Sequence, residues 1–466
     1  MRNLALLPLL LVGACAMGPD YKRPETAAPA AGAFQTAVNG TSPSEPDGRW
    51  WRLYDDPALD RLIERGLEAN TDLRVARANL LRAQAVVREA RAGTALTGDV
   101  SAGTNYGDDM GFPGGPQGGQ TQWSYNGSIT ANWELDLFGR IGRTIEATRA
   151  DAAAEEAVRD GVALTVAAEV ARAYVDACAL AEAIVVAKES AGIAERELTI
   201  QRTRQRVGAG SDLDIQRSAT ALANVLATLP TLEGRRRASL FELAALIGAT
   251  PSEVPQEARD CARVPAPVSA IPLGDGRSLL ARRPDVREAE RRLAADTARI
   301  GVATADLYPR ISLGGSGNFF RNDQVRGSNA FSFALGPLIS WSWPNLLVGR
   351  SMVEQAEASA QASLASFDGA VINALKEVEQ ALSFYAAEGE RNYRLQEAAG
   401  HADAAYRLAS RRYSVGSIAF LELLDTQREL LDARSAFADS TQRLGSLRVD
   451  VFKALGSGWE PPAAES

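Results

Sequence analysis

Residues 121–136, TQWSYNGSITANWELD, determine how the rest of the chain is interpreted. Most odd-numbered positions carry apolar side chains, among them Trp123, Tyr125, Ile129 and Trp133, whereas every even-numbered position is polar. Because successive side chains of a strand point to opposite faces, this alternation predicts a β-strand with one apolar and one polar face. Strands of about ten alternating residues with aromatic residues near their ends are typical of a transmembrane β-barrel, but a half-buried soluble sheet shows the same period.

Three further segments show the same alternation. Residues 331–343 alternate large apolar with small or polar side chains, with Leu338 as the exception, and residues 96–106 do the same. Residues 310–320 are rich in glycine and alternate more weakly. Sequence order therefore predicts two hairpins, 96–106 with 121–135 and 310–320 with 330–343.

Four strands are too few to close a barrel, because the smallest barrels have about eight. A lipid bilayer also tolerates no open sheet edge, since water is absent to satisfy the unpaired backbone groups. If the strands cross a membrane, several copies of the chain must therefore associate. Three copies would supply twelve strands, an even number as is usual for such barrels.

The chain contains an internal duplication. Identical residues recur in the same order at offsets that drift only from 213 to 208: Asp72, Arg74, Ala76 and Leu80 with Asp285, Arg287, Ala289 and Leu293; Trp133, Gly139 and Arg140 with Trp343, Gly349 and Arg350; Val207, Gly208, Leu213 and Gly248 with Val415, Gly416, Leu421 and Gly456. We infer two structural repeats, 59–250 and 273–458, joined by a Pro-rich connector at 251–272.

Each repeat is predicted to contain a helix, a hairpin, a very long helix and a last helix. The helices are expected at about 57–93, 140–207 and 212–247 in the first copy, and at 275–305, 350–414 and 419–455 in the second. A helix over 140–207 would be roughly 100 Å long at about 1.5 Å per residue. Apolar positions from Val353 to Tyr385 take nine steps over 32 residues, a mean spacing of 3.56 that favours a slow supercoil. An ordinary amphipathic core helix shows a similar period but is usually only three to four turns long.

Composition excludes several classes of enzyme. The only histidine, His401, lies in a predicted helix, so the chain is not expected to hold a Ser-His-Asp site. One histidine and three scattered cysteines cannot supply the usual zinc ligands, and the sequence has no G-x-x-x-x-G-K-[ST] phosphate loop. A net charge of −8 and a pI near 5.2 argue against nucleic acid as a partner. We therefore expect no enzyme, no cofactor and no metal.

The N-terminus resembles a bacterial lipoprotein signal. Residues 1–14 combine a short basic start with an apolar stretch that is too short to span a membrane, and small residues precede Cys15. Cys15 is predicted to be the acylated first residue of the mature chain, and Ala16 after it favours the outer membrane. A secretory signal cleaved elsewhere is the alternative. The mature chain would begin with an anchor and extended segment, 15–58, and end in a tail, 459–466.

Cys178 and Cys261 are the two remaining cysteines, and an exported chain would permit a disulfide between them. Cys178 lies in the predicted long helix, whereas Cys261 lies in the Pro-rich connector. Their spacing gives no reason to expect pairing, so pairing is not predicted.

Four stretches resemble the TolC-like outer-membrane factor family, and specifically its OprM-like lipoprotein branch. They are the lipobox cysteine with Gly18–Pro24; Trp50-Trp51 with Asp55 and Pro57; Trp133–Arg140; and Ala281–Val286. The match covers essentially the whole mature chain. It implies a mainly α fold, in which a homotrimer places a 12-stranded barrel in the outer membrane, lipid-anchored, on a long α-helical periplasmic tunnel.

The resemblance also implies a function and its partners. It identifies a passive exit duct of a tripartite efflux system for drugs or other toxic compounds. The duct would meet a periplasmic adaptor (membrane fusion) protein and an inner-membrane pump, often of the resistance-nodulation-division type. The same architecture serves type I protein secretion, and a periplasmic coiled-coil scaffold without a pore is a third hypothesis. The sequence does not indicate the exported substrate.

Family members meet the adaptor at two helix-helix turns. The matching adaptor-contact residues are Val207, Gly208, Ser211, Asp214, Val415 and Gly416, and those matching the periplasmic gate are Leu421, Asp425 and Arg428. The glycines suit a tight turn, and Asp212 and Asp214 are predicted to cap the helix that follows. The spacing places Leu421, Asp425 and Arg428 on one helix face. The resemblance implies that they constrict the closed pore, with an apolar ring from Leu421 and charged contacts from Asp425 and Arg428. A simple intrahelical Asp-Arg pair worth about 0.2–0.5 kcal/mol is the alternative.

Overall fold

A computed structural model describes residues 16–25, 28–108, 121–323, 325–341 and 346–458, which are mainly helical. The helices are α1 (Pro57–Ala69), α2 (Thr71–Ala92), α3 (Arg140–Arg206), α4 (Asp212–Leu246), α5 (Gln256–Arg259), α6 (Gly276–Arg282), α7 (Pro284–Ala305), α8 (Leu346–Ser414) and α9 (Phe420–Ala454). The strands are β1 (Thr41–Ser42), β2 (Thr97–Asp108), β3 (Thr121–Leu135), β4 (Ile271–Pro272), β5 (Arg310–Arg321) and β6 (Phe331–Ser340).

The chain folds into two compact units. The first contains the described residues up to Pro24 together with Asn79–Glu156 and Glu288–Asp368. The second contains Glu25–Ala78, Ala157–Arg287 and the described residues from Gly369 onward. Each unit therefore takes segments from both predicted repeats.

The first unit holds an antiparallel sheet with the order β2-β3-β5-β6. The two predicted hairpins are confirmed, and the register joins them side by side through β3 and β5. Val100 pairs with Ile129, Ile129 with Gly317, and Gly317 with Phe333. These positions lie at one level on one face of the sheet.

This register aligns the alternation of the four strands. The positions that share a face with Ile129 carry most of the aromatic and aliphatic side chains of β2, β3, β5 and β6, and the opposite face is mostly polar or small, with Phe320 and Leu338 as exceptions. Ser101 and Ser128, for example, hydrogen-bond through their hydroxyls at 2.8 Å on the polar face. Phe333 on the apolar face is 89% exposed. The sheet thus has a continuous apolar face that the described part of the chain leaves exposed.

The second unit is built around a large apolar core. Trp50 is fully buried, and its ring stacks on Phe452 with centroids 4.6 Å apart. The hydroxyl of Tyr174 in α3 donates to the carboxylate of Asp56 at 3.0 Å. The Trp50-Trp51 pair noted in the sequence is therefore part of the core rather than a binding surface.

The helices α3 and α8 have 67 and 69 residues, close to the predicted lengths. They are followed by α4 and α9, each of 35 residues. Pro230 lies inside α4 without ending it. Within the described ranges, we find no helix whose length and apolar character would let it cross a bilayer.

Two helices that the sequence predicts as continuous are broken in the structure. The helix expected at 57–93 is interrupted at Asn70, whose side-chain oxygen accepts from the backbone N–H of Asp72 and Leu73 at 2.9 and 3.1 Å. Asn70 thus caps α2. The helix expected at 275–305 breaks at Arg283, because Pro284 disfavours a helical conformation in the residue before it.

The two cysteines that were not expected to pair form a disulfide. Cys178 lies in the buried core on α3, and Cys261 lies in the connector. Their Cα atoms are 5.1 Å apart across a sequence separation of 83 residues. The expectation that they do not pair is therefore wrong, because the fold brings the connector back against the buried side of α3 that carries Cys178.

Candidate functional site

The stretch Trp133–Arg140 forms the junction between β3 and α3. Both carboxylate oxygens of Glu134 accept from Nη2 of Arg140 at 2.8 Å. Asp136 caps the first turn of α3, because its carboxylate accepts from the N–H of Ile141 at 3.0 Å and of Gly142 at 2.7 Å. This carboxylate satisfies backbone donors that a helix start leaves unpaired. The residues of the motif therefore fix how a strand turns directly into a long helix.

The stretch Ala281–Val286 closes the end of α9. Arg282 donates to the carbonyl oxygen of Leu455 through Nε and Nη2 at 3.0 and 2.9 Å. Arg283 donates to the carbonyl oxygen of Ala454 at 3.0 Å and pairs with Glu377 at 2.6 Å. Cations at a helix C-terminus satisfy free carbonyls and complement the helix dipole. The motif thus has a structural role, because it holds the C-terminal end of α9 against the start of α7.

The first predicted tip is a tight turn after α3. Gly208 has φ +76°, the left-handed region that suits glycine at a helix C-terminus. The N–H of Ala209 donates to the carbonyl of Arg204 at 2.8 Å, and that of Gly208 to Gln205 at 3.0 Å, as in a Schellman motif. Val207 is 74% exposed. The turn therefore presents an apolar side chain to solvent on a well-defined backbone.

The cap of α4 differs from the prediction. Ser211 is the N-cap, and its hydroxyl accepts from the N–H of Leu213 at 3.1 Å. Asp212 and Asp214 lie within the first turn, where their charges still favour the helix dipole. Ser211 caps the helix because an N-cap residue is extended and lies directly before the first helical residue, and Ser211 has φ −109° and ψ 144°.

The second tip repeats the geometry of the first. Gly416 has φ +75°, and the N–H of Ser417 donates to the carbonyl of Arg412 at 2.9 Å. The N–H of Gly416 donates to Tyr413 at 3.0 Å. Val415 is 78% exposed, as Val207 is at the first tip. The duplication thus yields two turns with the same backbone and the same exposed valine.

The predicted gate residues lie on the first three turns of α9, and all three are exposed. Nη1 of Arg428 lies 3.9 Å from Oδ1 of Asp425, and both side chains face solvent. An exposed pair of this kind contributes about 0.2–0.5 kcal/mol within a helix. The first tip holds a pair with the same distance, Asp214 and Arg217. Neither pair is needed to hold one copy of the chain together.

A buried polar cluster near the tips was missed by the sequence analysis. The side-chain amide of Gln201 in α3 donates to the Glu197 carboxylate at 2.6 Å and to the hydroxyl of Tyr413 in α8 at 2.9 Å. The guanidinium of Arg204 lies over the Tyr413 ring, 4.5 Å from its centroid. Burial raises the pKa of Glu197, although Gln201 and Arg204 oppose that shift. The cluster ties the helix before one tip to the helix before the other.

Gln427 in α9 is a second buried polar residue that the sequence analysis missed. It is 1% exposed, and neither its amide nitrogen nor its amide oxygen has a partner within the described part of the chain. Leu423, Gln427 and Leu430 are spaced by four and three residues, which places them on one helix face. That spacing was the available signal, since a glutamine between two buried leucines lies on the buried stripe.

Some predicted residues fall outside the described ranges. They are the signal segment 1–14, the proposed lipid anchor Cys15, the last two positions (342–343) of the strand predicted at 330–343, and the tail 459–466. The described chain starts at Ala16, directly after the proposed anchor.

Comparisons with known proteins agree with this architecture. The family described as outer membrane efflux protein matches residues 62–249 and 276–457. The toluene efflux pump outer membrane protein TtgI of Pseudomonas putida is 32% identical, with 98% of each chain covered. The pyoverdine export outer membrane protein OpmQ of the same species is 31% identical, also over 98% of each chain. The solved outer-membrane channel OprN is 35% identical with a TM-score of 0.89, covering 96% of this chain and all of that one.

The chain belongs to the outer membrane efflux protein family. The resemblance to TolC-like outer-membrane factors is thereby confirmed, as is the prediction of an outer membrane efflux channel. The family is one of transport channels rather than enzymes.

Proposed function

We propose that three copies of the chain form a closed 12-stranded barrel in the outer membrane, which serves as the passive exit duct of a tripartite efflux pump. The sheet carries this proposal. Its edge strands, β2 and β6, are each paired on one side only within the described sheet, and one of its faces is apolar and exposed. In a bilayer, lipid hydrocarbon would cover the apolar face. The unpaired backbone groups of β2 and β6 would then need partners from other copies, because no water is present to satisfy them.

The direction of the strands fits closure by identical copies. Each neighbouring pair in the order β2-β3-β5-β6 is antiparallel, so β2 and β6 run in opposite directions. The edge β6 of one copy can therefore pair antiparallel with β2 of the next. Repetition by rotation then gives an antiparallel barrel without a free edge.

The long helices and their two tips would form the periplasmic part. The exposed valines at the tips, Val207 and Val415, offer an apolar contact for the adaptor on a backbone fixed by two glycine turns. The exposed pair Asp425 and Arg428 is free to pair between copies and narrow the entrance. An inner-membrane pump, of the resistance-nodulation-division type, would supply the energy. Drugs and other small toxic compounds are the proposed cargo, and no catalytic step is required of this chain.

The proposed anchor is an acyl group on Cys15, which would hold the N-terminus in the outer membrane. Residues 1–14 would then be removed as the signal peptide. Acyl chains bury methylenes in lipid at about 0.8 kcal/mol each, so two or more chains hold a protein firmly. The anchor adds to the barrel and does not replace it.

A Cys15→Ala variant separates the channel from a scaffold without a pore. The channel account predicts that this unacylated protein still requires detergent and sediments as three copies, because the apolar sheet face remains. A variant that is monomeric in buffer without detergent would exclude the barrel.

A further inference from the structure

The first described segment, Ala16–Pro24, packs closely against the rest of the first compact unit. The N–H of Met17 donates to the carbonyl of Phe138 at 3.2 Å, at the junction between β3 and α3. The segment then runs along α7 as far as Glu290. Since this segment directly follows the proposed anchor, what holds it in place determines where an anchor would be attached.

Three glycines from three parts of the chain create the room for this segment. A Cβ added to Gly18 would lie 2.5 Å from Cα of Gly301, and one added to Gly301 would lie 2.7 Å from the carbonyl oxygen of Met17. A Cβ added to Gly139 would lie 2.7 Å from Cα of Ala16. Gly18 and Gly139 also have φ values of +86° and +79°. At these three positions the segment and its surroundings are so close that a residue with a Cβ would clash, so only glycine fits.

Arg143 in α3 holds the first half of the segment. Its side chain is only 5% exposed. It donates to the carbonyl oxygens of Met17 at 3.1 Å and Gly18 at 3.3 Å, and to the carboxylate of Asp20 at 2.7 Å. Its other Nη pairs with Glu146 at 2.8 Å. A buried guanidinium that contacts two backbone carbonyls recognises the path of the chain and not only one charged side chain.

Glu290 in α7 holds the second half. Its carboxylate is nearly buried, accepts from the hydroxyl of Tyr21 at 3.2 Å and pairs with Arg23 at 3.4 Å. Burial beside this carboxylate raises the pKa of Tyr21 to about 12. Arg291 also pairs with Glu290, at 2.6 Å. Two cations and a phenol therefore meet one carboxylate, and two of these three groups come from the segment.

We propose that Ala16–Pro24 is a seated strap that fixes an acylated N-terminus at the strand-to-helix junction, with Arg143 and Glu290 as its positioning residues. The inference rests on the proposed acylation of Cys15. Consecutive Cα atoms are about 3.8 Å apart, so an anchor on the residue before Ala16 has a tether of one peptide unit. Ala16 contacts Gly139, four residues after the end of β3 at Leu135. The acyl chains then enter the bilayer where the strands end.

Limited trypsin digestion of the purified, detergent-solubilised trimer tests the strap. Trypsin can cleave the segment after Lys22, whereas it does not cleave after Arg23 because Pro24 follows. A seated strap resists cleavage at Lys22, and Arg143→Gln should accelerate the release of the peptide that ends there by about tenfold or more, as expected for the loss of charge-assisted hydrogen bonds. Arg299→Gln is the matched control, because Arg299 pairs with Asp151 and Asp296 and does not contact the strap.

A second variant protects the test against misfolding. Asp20→Asn combined with Tyr21→Phe changes only side chains of the strap, and it should also accelerate cleavage without altering the mass of the assembly. Wild-type protein cut at Lys22 as fast as Arg143→Gln would overturn the strap. The mass of the released peptide tests the anchor separately. If the wild type resists cleavage but the peptide released from Arg143→Gln carries no acyl group, the proposed anchor and its positioning are refuted, while the seating of the strap stands.

Discussion

Gln201 in α3 and Tyr413 in α8 exchange hydrogen bonds, with the amide of Gln201 donating to the tyrosine hydroxyl at 2.9 Å and the hydroxyl donating back to the amide oxygen at 3.1 Å. Both residues are buried. Tyr413 lies two residues before Val415 of the second tip. The pair therefore links the helix that leads to one tip with the helix that leads to the other. A buried, paired polar group fixes the register of packed helices more strictly than an apolar contact does.

The carboxyl group beside this pair should make the packing of the tips depend on pH. Burial raises the pKa of Glu197 from its ordinary 4.5, so folding favours the protonated form. The contribution of this group to stability is fully present below 4.5 and is lost as the pH rises through its raised folded pKa. We expect Glu197→Gln to raise stability at pH 7.5 by on the order of 1 kcal/mol and to change little at pH 4, since the glutamine mimics the protonated acid.

The measurement is the difference in Tm between Glu197→Gln and wild type across this pH range in detergent. Glu195→Gln is the control, because Glu195 lies on the same helix and is exposed. A Tm difference that is independent of pH would show that Glu197 does not titrate as described.

The two faces of β6 should respond in opposite ways to a charge. Phe333→Arg puts a cation on the apolar sheet face, where it costs about 2–4 kcal/mol near the middle of a bilayer. Ser332→Arg puts the same cation on the neighbouring residue, on the polar face that would line water. The fraction of chain recovered from outer membranes as an assembled oligomer should fall for Phe333→Arg and stay near wild type for Ser332→Arg. Equal loss in both variants would contradict a membrane-facing sheet.

The disulfide should stabilise the connector against α3. It closes a loop with a sequence separation of 83 residues, for which the chain-entropy model gives about 4 kcal/mol. Cys261→Ser should therefore lower Tm, and added reductant should lower the Tm of the wild type but not that of the variant. If the oxidised wild type and Cys261→Ser melt together, the bond contributes nothing.

The two exposed valines should matter for efflux but not for folding. Val207→Asp combined with Val415→Asp leaves both glycine turns intact and places charges on the proposed adaptor contact. In a deletion strain, this variant should fail to restore resistance to the compounds that the wild-type gene protects against, while its Tm and oligomeric mass stay unchanged. Full restoration of resistance would remove the valines from the adaptor contact.

Much of the fold could be predicted because its signals are periodic. The alternation that includes Trp123 and Tyr125 predicts β3 and its two faces, and the spacing of apolar residues predicts the long helices. The position of Val-Gly at matched places in the two repeats predicts the two tips. Strand alternation and helical spacing depend on residues near one another in sequence, and a repeat is found by aligning the chain with itself, so a single sequence reveals them all.

Features that depend on distant residues could not be predicted in this way. Cys178 and Cys261 meet only because the connector folds back, and the sequence separation conceals that approach. The break at Asn70 depends on one side chain that caps the next helix in an otherwise favourable helical stretch. Gln201 lies in a predicted helix among polar neighbours, and only the packing of α8 shows that it is buried.

Single-channel recording in planar lipid bilayers measures whether assembled copies of this chain form the proposed water-filled duct and whether its periplasmic tips restrict it. We predict that the assembled wild-type protein gives small conductance steps and that Asp425→Ala combined with Arg428→Ala gives larger ones. Asp214→Ala with Arg217→Ala is the matched control, since this pair has the same separation of 3.9 Å at the first tip and should leave the conductance unchanged. The absence of conductance steps from every one of these proteins would contradict the channel, and equal steps from the wild type and the Asp425/Arg428 variant would contradict the gate.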